Sequence, residues 1–149
     1  MDALMTVIIT WLSINYGLPT VQDLPEVQFV DPPQMYEVHI SRLTDEEIAL
    51  LRNAGQTGDD LIAVYDDRSR TIYLPANWTA SSPADVSVLV HEMVHHLQRF
   101  DKEIFACAEA REKPAYQAQA DWLNLIGSSL EQEFELDAMS LLFLTKCYH

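Results

Sequence analysis

The sequence predicts an α+β fold in a single domain, residues 1–149: a small mixed or antiparallel sheet with a hairpin ahead of a long helix, an N-terminal helix, and two C-terminal helices. Three observations carry this. The apolar runs Leu61 to Tyr65 and Thr71 to Leu74 flank the polar turn Asp66-Asp67-Arg68-Ser69-Arg70, as in a β-hairpin. Pro83 to Phe100 repeats its apolar residues at helical spacing behind a Ser-Pro-x-Asp start. Ser129 to about Lys146 carries Leu130, Phe134, Leu136, Met139, Leu142 and Phe143 in an amphipathic pattern.

Taken in order, Met1 to Leu18 reads as a core-packed helix through Leu4, Val7, Ile8, Trp11, Leu12 and Ile14, stopped at Gly17-Leu18-Pro19. It has Asp2 and no basic stretch, so it makes a poor signal peptide; Ser13, Asn15 and Tyr16 make it a poor membrane span. Pro25 to Val30 is a short strand closed by Asp31-Pro32-Pro33. Thr44-Asp45-Glu46-Glu47 opens a helix with a capping box, running to about Ala54 and ended by Gly55 and Gly58. The hairpin follows. Ser82 then caps the long helix, with Pro83 at its first position and Asp85 completing the box. Because Pro114 is tolerated only in a first turn, the next helix is expected to begin near Arg111 to Lys113 and to end at Ile126-Gly127.

The composition, 48% hydrophobic and 21% charged, is that of a globular chain with a real core. The net charge of −14 argues against nucleic acid and anionic membranes as partners. Cys107 and Cys147 either pair or stay as buried thiols; pairing implies an oxidising compartment, periplasmic or extracellular, and free thiols a cytoplasmic one.

The densest chemistry lies in His91-Glu92-Met93-Val94-His95, an H-E-x-x-H pattern. Residues i and i+4 stack on one helix face, so both imidazoles reach one metal ion, while Glu92 stands about 100° around the helix, beside the metal, where a base would take a proton from its water. Val86, Leu89, Val90, Met93, Leu97 and Phe100 fall on the opposite arc, the expected core face. The two histidines share their flank with Ala84, Ser87 and Gln98, as a cleft floor requires. His96 points well round from the other two, cannot share their metal, and is read either as a support behind the site or as a structural residue.

A zinc site of the catalytic kind needs a third protein ligand and an open position. Asp101, Glu109 and Glu112 are the candidates. Asp101 would need a sharp turn at Gln98, where glutamine is a poor substitute for glycine. Glu112 is favoured: it shares a helical stripe with Ala115, Tyr116, Gln119 and Leu123, and small Ala115 permits close approach to the histidine helix. Glu109 lies one turn earlier and is expected to precede that helix.

His91-Glu92-Met93-Val94-His95, the hairpin before it and Glu112 after it resemble a zincin metallopeptidase, more narrowly a gluzincin. Thr71 to Pro75, Val88 to Gln98, Glu112 to Tyr116 and Gln119 are also similar to small bacterial zincin-like proteins. The resemblance implies a zincin-like fold, Zn2+ held by His91, His95 and Glu112, and Glu92 as general base. It also implies that Thr71 to Leu74 is an edge strand for an extended peptide, which would make Tyr73 a substrate contact. Tyr116 is a candidate oxyanion donor, as are Tyr148 and His149. The expected activity is hydrolysis of peptide bonds in a peptide or protein substrate. The alternative is a non-catalytic zinc-binding or protein-interaction domain on the same scaffold.

Overall fold

The structure, a computed structural model, describes residues 1–53 and 61–147. Among these the fold is mixed α+β, with seven helices and one three-stranded sheet. The chain forms two compact units, one of residues 1–24 and 79–149, the other of residues 25–78.

In the second unit, β1 (Glu26–Val30), β2 (Val64–Asp66) and β3 (Thr71–Pro75) form a sheet ordered β1-β3-β2. β2 and β3 make the expected antiparallel hairpin, with Tyr65 opposite Ile72, while β1 runs parallel to β3, with Val27 opposite Ile72. The expectation that Thr71 to Leu74 forms an edge strand is therefore wrong: β3 is the middle strand, and its ladder is paired on both sides. Adjacent Thr71 and Ile72, whose side chains point to opposite faces, are both buried. Tyr73 packs against a small core of Val30, Met35 and Val64.

That core includes a helix the sequence reading missed. Asp31-Pro32-Pro33 does not merely close β1 but opens α2 (Pro32–Ile40). Asp31 accepts from the backbone N–H of Gln34, and the Gln34 side chain accepts from that of Asp31, a complete capping box with proline in the first turn. α3 (Asp45–Asn53) starts as expected, with Thr44 and Glu47 capping each other reciprocally. Its expected end, at Ala54, Gly55 and Gly58, lies outside the described residues.

The first unit is helical. α1 (Asp2–Tyr16) ends on Gly17, whose φ of 66° is the left-handed conformation that favours glycine. Its buried face is Met5, Ile8, Ile9 and Leu12, while Val7 and Ile14 of the expected stripe are exposed. A helix apolar nearly all round does not reveal its phase by periodicity alone.

α4 (Pro83–Gln98) begins at Ser82, whose hydroxyl accepts from the N–H of Asp85. The Asp85 carboxylate accepts from the N–H of Thr79 instead of closing the box on Ser82. α5 (Ala108–Leu125) starts earlier than expected and holds Pro114 in its interior. Cys107 caps it, its sulfur accepting from the N–H of Ala110 at 3.3 Å. α5 packs along α4 through buried Ala115, Ala118, Gln119 and Leu123, burial that offsets the proline. α1 meets the far end of α5 through an edge-on contact of Trp11 with Trp122 and a hydrogen bond from the Tyr16 hydroxyl to Asp121.

The expected long last helix is broken in two, so three helices follow α4 rather than two. α6 (Leu130–Phe134) stops at Glu135, which turns left-handed with φ of 57°. Asp137 then caps α7 (Ala138–Thr145) by accepting from the N–H of Ser140 at 2.8 Å. A new N-cap so soon after the turn competes with helix continuation and wins. Cys107 and Cys147 are at bonding distance, with Cα atoms 5.9 Å apart. No helix among the described residues is long and apolar enough to cross a membrane.

Candidate metal centre

α4 is buried on almost every face. Leu89, Val90, Met93 and Leu97 form its apolar side, as the periodicity requires. Phe100 lies beyond the helix end and is partly exposed. His96 is fully buried, donates from Nε2 to the carbonyl of Asp23 at 2.9 Å, and packs edge-on against Phe100. It lies away from the other two histidines, as its position on the helix implies.

His91 and His95 share the opposite side, their ring centroids 5.1 Å apart. Both turn Nε2 toward Glu112 of α5: its Oε2 lies 2.9 Å from Nε2 of His91 and 3.2 Å from Nε2 of His95. These three donors, all within 4.8 Å of one another, are the group of the described residues able to hold a metal ion. The Glu112 side chain keeps 35% of its surface exposed, against 10% and 11% for the two imidazoles, so the group opens on the carboxylate side.

Asp101 and Glu109 are not brought into it. Asp101 follows the end of α4, and its carboxylate accepts from the N–H of Lys102. Glu109 does not precede α5 as expected but sits in its first turn. Glu112 is one helical turn further on, at the height of the two histidines.

Each of the two histidines is held from behind by a glutamine. Nδ1 of His91 donates to Oε1 of Gln119, and Nδ1 of His95 donates to Oε1 of Gln98, both at 2.9 Å. Gln119 donates in turn to Oγ of Ser87, and Gln98 to the carbonyl of Arg111. Sequence reasoning did not find this layer. The sequence places Gln98 on the flank of the two histidines, where a third ligand at Asp101 would want glycine, and Gln119 on the Glu112 stripe, but assigns neither a partner. The available signal was a glutamine on a helix face otherwise filled by alanine and leucine.

The electrostatics follow from the geometry. Burial works against the Glu112 carboxylate, but the imidazoles of His91 and His95 outweigh it and hold Glu112 well below the usual carboxylate range. Burial likewise works against a charged His95, but Glu112, with Glu92 behind it, lifts His95 above its ordinary value of 6.5. Glu92 itself is 7% exposed on the next flank of α4. Tyr116 packs edge-on against His91, centroids 4.5 Å apart, and its phenol is pushed up to about 12 by burial and by the charges of Glu112 and Glu92. It therefore remains a hydrogen-bond donor at neutral pH. Tyr73 belongs to the other unit, in the small core described above, while Tyr148 and His149 lie outside the described residues.

A divalent cation fits this donor set. Two imidazole nitrogens and one carboxylate oxygen are the ligand chemistry of a zinc site with an open fourth position. The chain belongs to the family described as a domain of unknown function (DUF6647), which matches residues 1–149. No curated protein and no solved structure matches the chain.

Proposed function

We propose that this protein is a zinc-dependent metallopeptidase with a zincin-like, gluzincin-type site. Zn2+ would be held by His91, His95 and Glu112, and Glu92 would act as general base. The observation that carries this reading is the convergence of Nε2 of His91, Nε2 of His95 and Oε2 of Glu112 within 4.8 Å. Glu112 is separated from the histidines in sequence and reaches them only by the packing of α5 on α4. Bound there, zinc supplies a Lewis acid that acidifies water and polarises a carbonyl.

The chain's own residues do the rest. His91 and His95 present nitrogen lone pairs from two successive turns of one rigid helix. Glu112 supplies negative charge that offsets the cation. Glu92, buried to 7% exposure on the adjoining flank, accepts a proton from the attacking water and returns it to the leaving amine. The Tyr116 phenol, protonated beside His91, is a donor for the developing oxyanion. The net charge of −14 favours cationic peptides over acidic ones in diffusional encounter. The Cys107–Cys147 pair supports residence in an oxidising compartment, periplasmic or extracellular.

Glu92→Gln is the test. Zinc content is expected to stay at the wild-type level while cleavage of a quenched fluorescent peptide library falls at least about 100-fold, the usual scale for a lost general base. Wild-type protein that holds zinc yet cleaves nothing in such a library would favour a non-catalytic metal-binding domain.

A further inference from the structure

Each histidine of the candidate centre has its Nδ1 on a glutamine oxygen, and in both cases the orientation of that glutamine is fixed by a second partner. The Gln98 amide nitrogen lies 3.0 Å from the Arg111 carbonyl oxygen. That oxygen only accepts, so the NH2 must face it and Oε1 must face His95. For Gln119 the anchor is longer by one link. The Ser87 hydroxyl gives its proton to the Ala84 carbonyl at 2.7 Å, which leaves Oγ to accept from Gln119 Nε2 at 3.2 Å. Oε1 of Gln119 is thereby turned to His91. Both glutamines are nearly sealed from water, at 7% and 4% exposure, so solvent does not compete for these bonds.

We propose that Gln98 and Gln119 are paired positioning residues that lock His91 and His95 as Nδ1–H tautomers, with both Nε2 lone pairs aimed at Glu112. The inference rests on the metal-centre reading and deepens it. With both Nδ1 atoms donating to glutamine, each Nε2 can meet the Glu112 oxygen at 2.9 and 3.2 Å only with a cation between them, a proton in the metal-free protein or a metal ion in its place. The glutamine locks thus build the demand for a cation into the fold before any ligand arrives. They also keep the rings from flipping to offer Nδ1 instead. Gln98 gives a second service, tying the end of α4 to the backbone of Arg111, the residue before Glu112.

The test uses Gln98→Met and Gln119→Met, which keep length and remove the amide. Long-range 1H–15N spectra of the metal-free proteins are recorded at a pH where both rings are neutral. Wild type is expected to show Nδ1–H for both histidines. Gln98→Met is expected to release His95 alone, and Gln119→Met to release His91 alone, toward the Nε2–H form. Affinity for Zn2+ and Co2+, by competition with a chromophoric chelator, is expected to fall about 10- to 100-fold in each variant. A packing role alone would lower the unfolding temperature but leave tautomers and affinity unchanged. If Gln119→Met fails to fold, Ser87→Ala replaces it; by removing only the anchor, it is expected to release His91 partially. Nε2–H tautomers in wild type, or variants that bind as tightly as wild type, would overturn the inference. A wild type that binds neither metal but shows locked Nδ1–H tautomers, lost singly in the variants, would sink the metal reading and leave the positioning role standing.

Discussion

At the residue scale the most exposed commitment is Glu112. It is the only carboxylate that meets both imidazoles among the described residues, through a single oxygen. Glu112→Ala is expected to lose bound zinc, measured by mass spectrometry on protein exchanged into metal-free buffer; equal zinc in variant and wild type would remove it from the site. The same contacts fix the pH dependence. His95 is raised above 6.5 in the folded chain, so its contribution to stability is complete below 6.5 and is lost as pH rises through the folded value. Glu112 is lowered from 4.5, so its contribution is present above 4.5 and is lost as pH falls through the folded value. Without metal, these contacts support the fold best between those two ordinary values. Zinc bound at the proposed site would compete with the proton and work the other way. Unfolding midpoints in chelator are expected to fall from mildly acidic to alkaline pH, while the gain from added zinc widens over the same range. A zinc effect independent of pH would contradict shared occupancy of the Nε2 atoms by proton and metal.

At the scale of elements, the boundaries legible in the sequence are those whose side-chain and backbone partners lie within one turn. The caps at Thr44 and Ser82 are where the sequence puts them, because side chain and backbone partner lie within three residues. The start of α5 escapes the sequence because the constraint at Pro114 is local, whereas α5 is stabilised by its packing on α4 and by the Cys107 cap. The proline remains a cost. An interior proline costs about 3 kcal/mol, of which under 1 kcal/mol is returned by stiffening the unfolded chain. Pro114→Ala is therefore expected to stabilise the protein by roughly 2 kcal/mol in urea unfolding, with zinc affinity unchanged. Lower stability would mean that Pro114 itself helps to seat α5. The break between α6 and α7 was missed for a related reason: the apolar period runs through it, while Glu135 and Asp137 decide the backbone locally. The helix at Pro32 escapes the sequence although its capping signal is complete, because paired prolines also mark the end of a strand.

At the scale of the whole molecule, every residue of the centre and both glutamines belong to the unit of residues 1–24 and 79–149. The Cys107–Cys147 bridge closes a loop with a sequence separation of 40, from the N-cap of α5 to the residue after the C-cap of α7, and so encloses Glu112 and Gln119. In the chain-entropy view such a loop contributes roughly 4 kcal/mol. Reduction, or Cys107→Ser with Cys147→Ser, is expected to lower the unfolding temperature by roughly 10 °C, the equivalent for a chain of this length. Zinc affinity should weaken with it, since the first turns of α5 lose an anchor. An unchanged midpoint under reducing conditions would show that the helices hold without the bridge.

The sequence by itself determined the α+β class, the hairpin ahead of the histidine helix, and the pair of imidazoles on one face of that helix. All of these depend on periodicity and on partners a few residues apart. Only the tertiary structure decided that Glu112, rather than Asp101 or Glu109, meets His91 and His95, that β3 is the central strand, and that Gln98 and Gln119 orient the rings. Those contacts, other than that of Gln98 with His95, join residues distant in sequence. Their geometry comes from the packing of α5 on α4 and the pairing of β1 with β3, which no local pattern encodes.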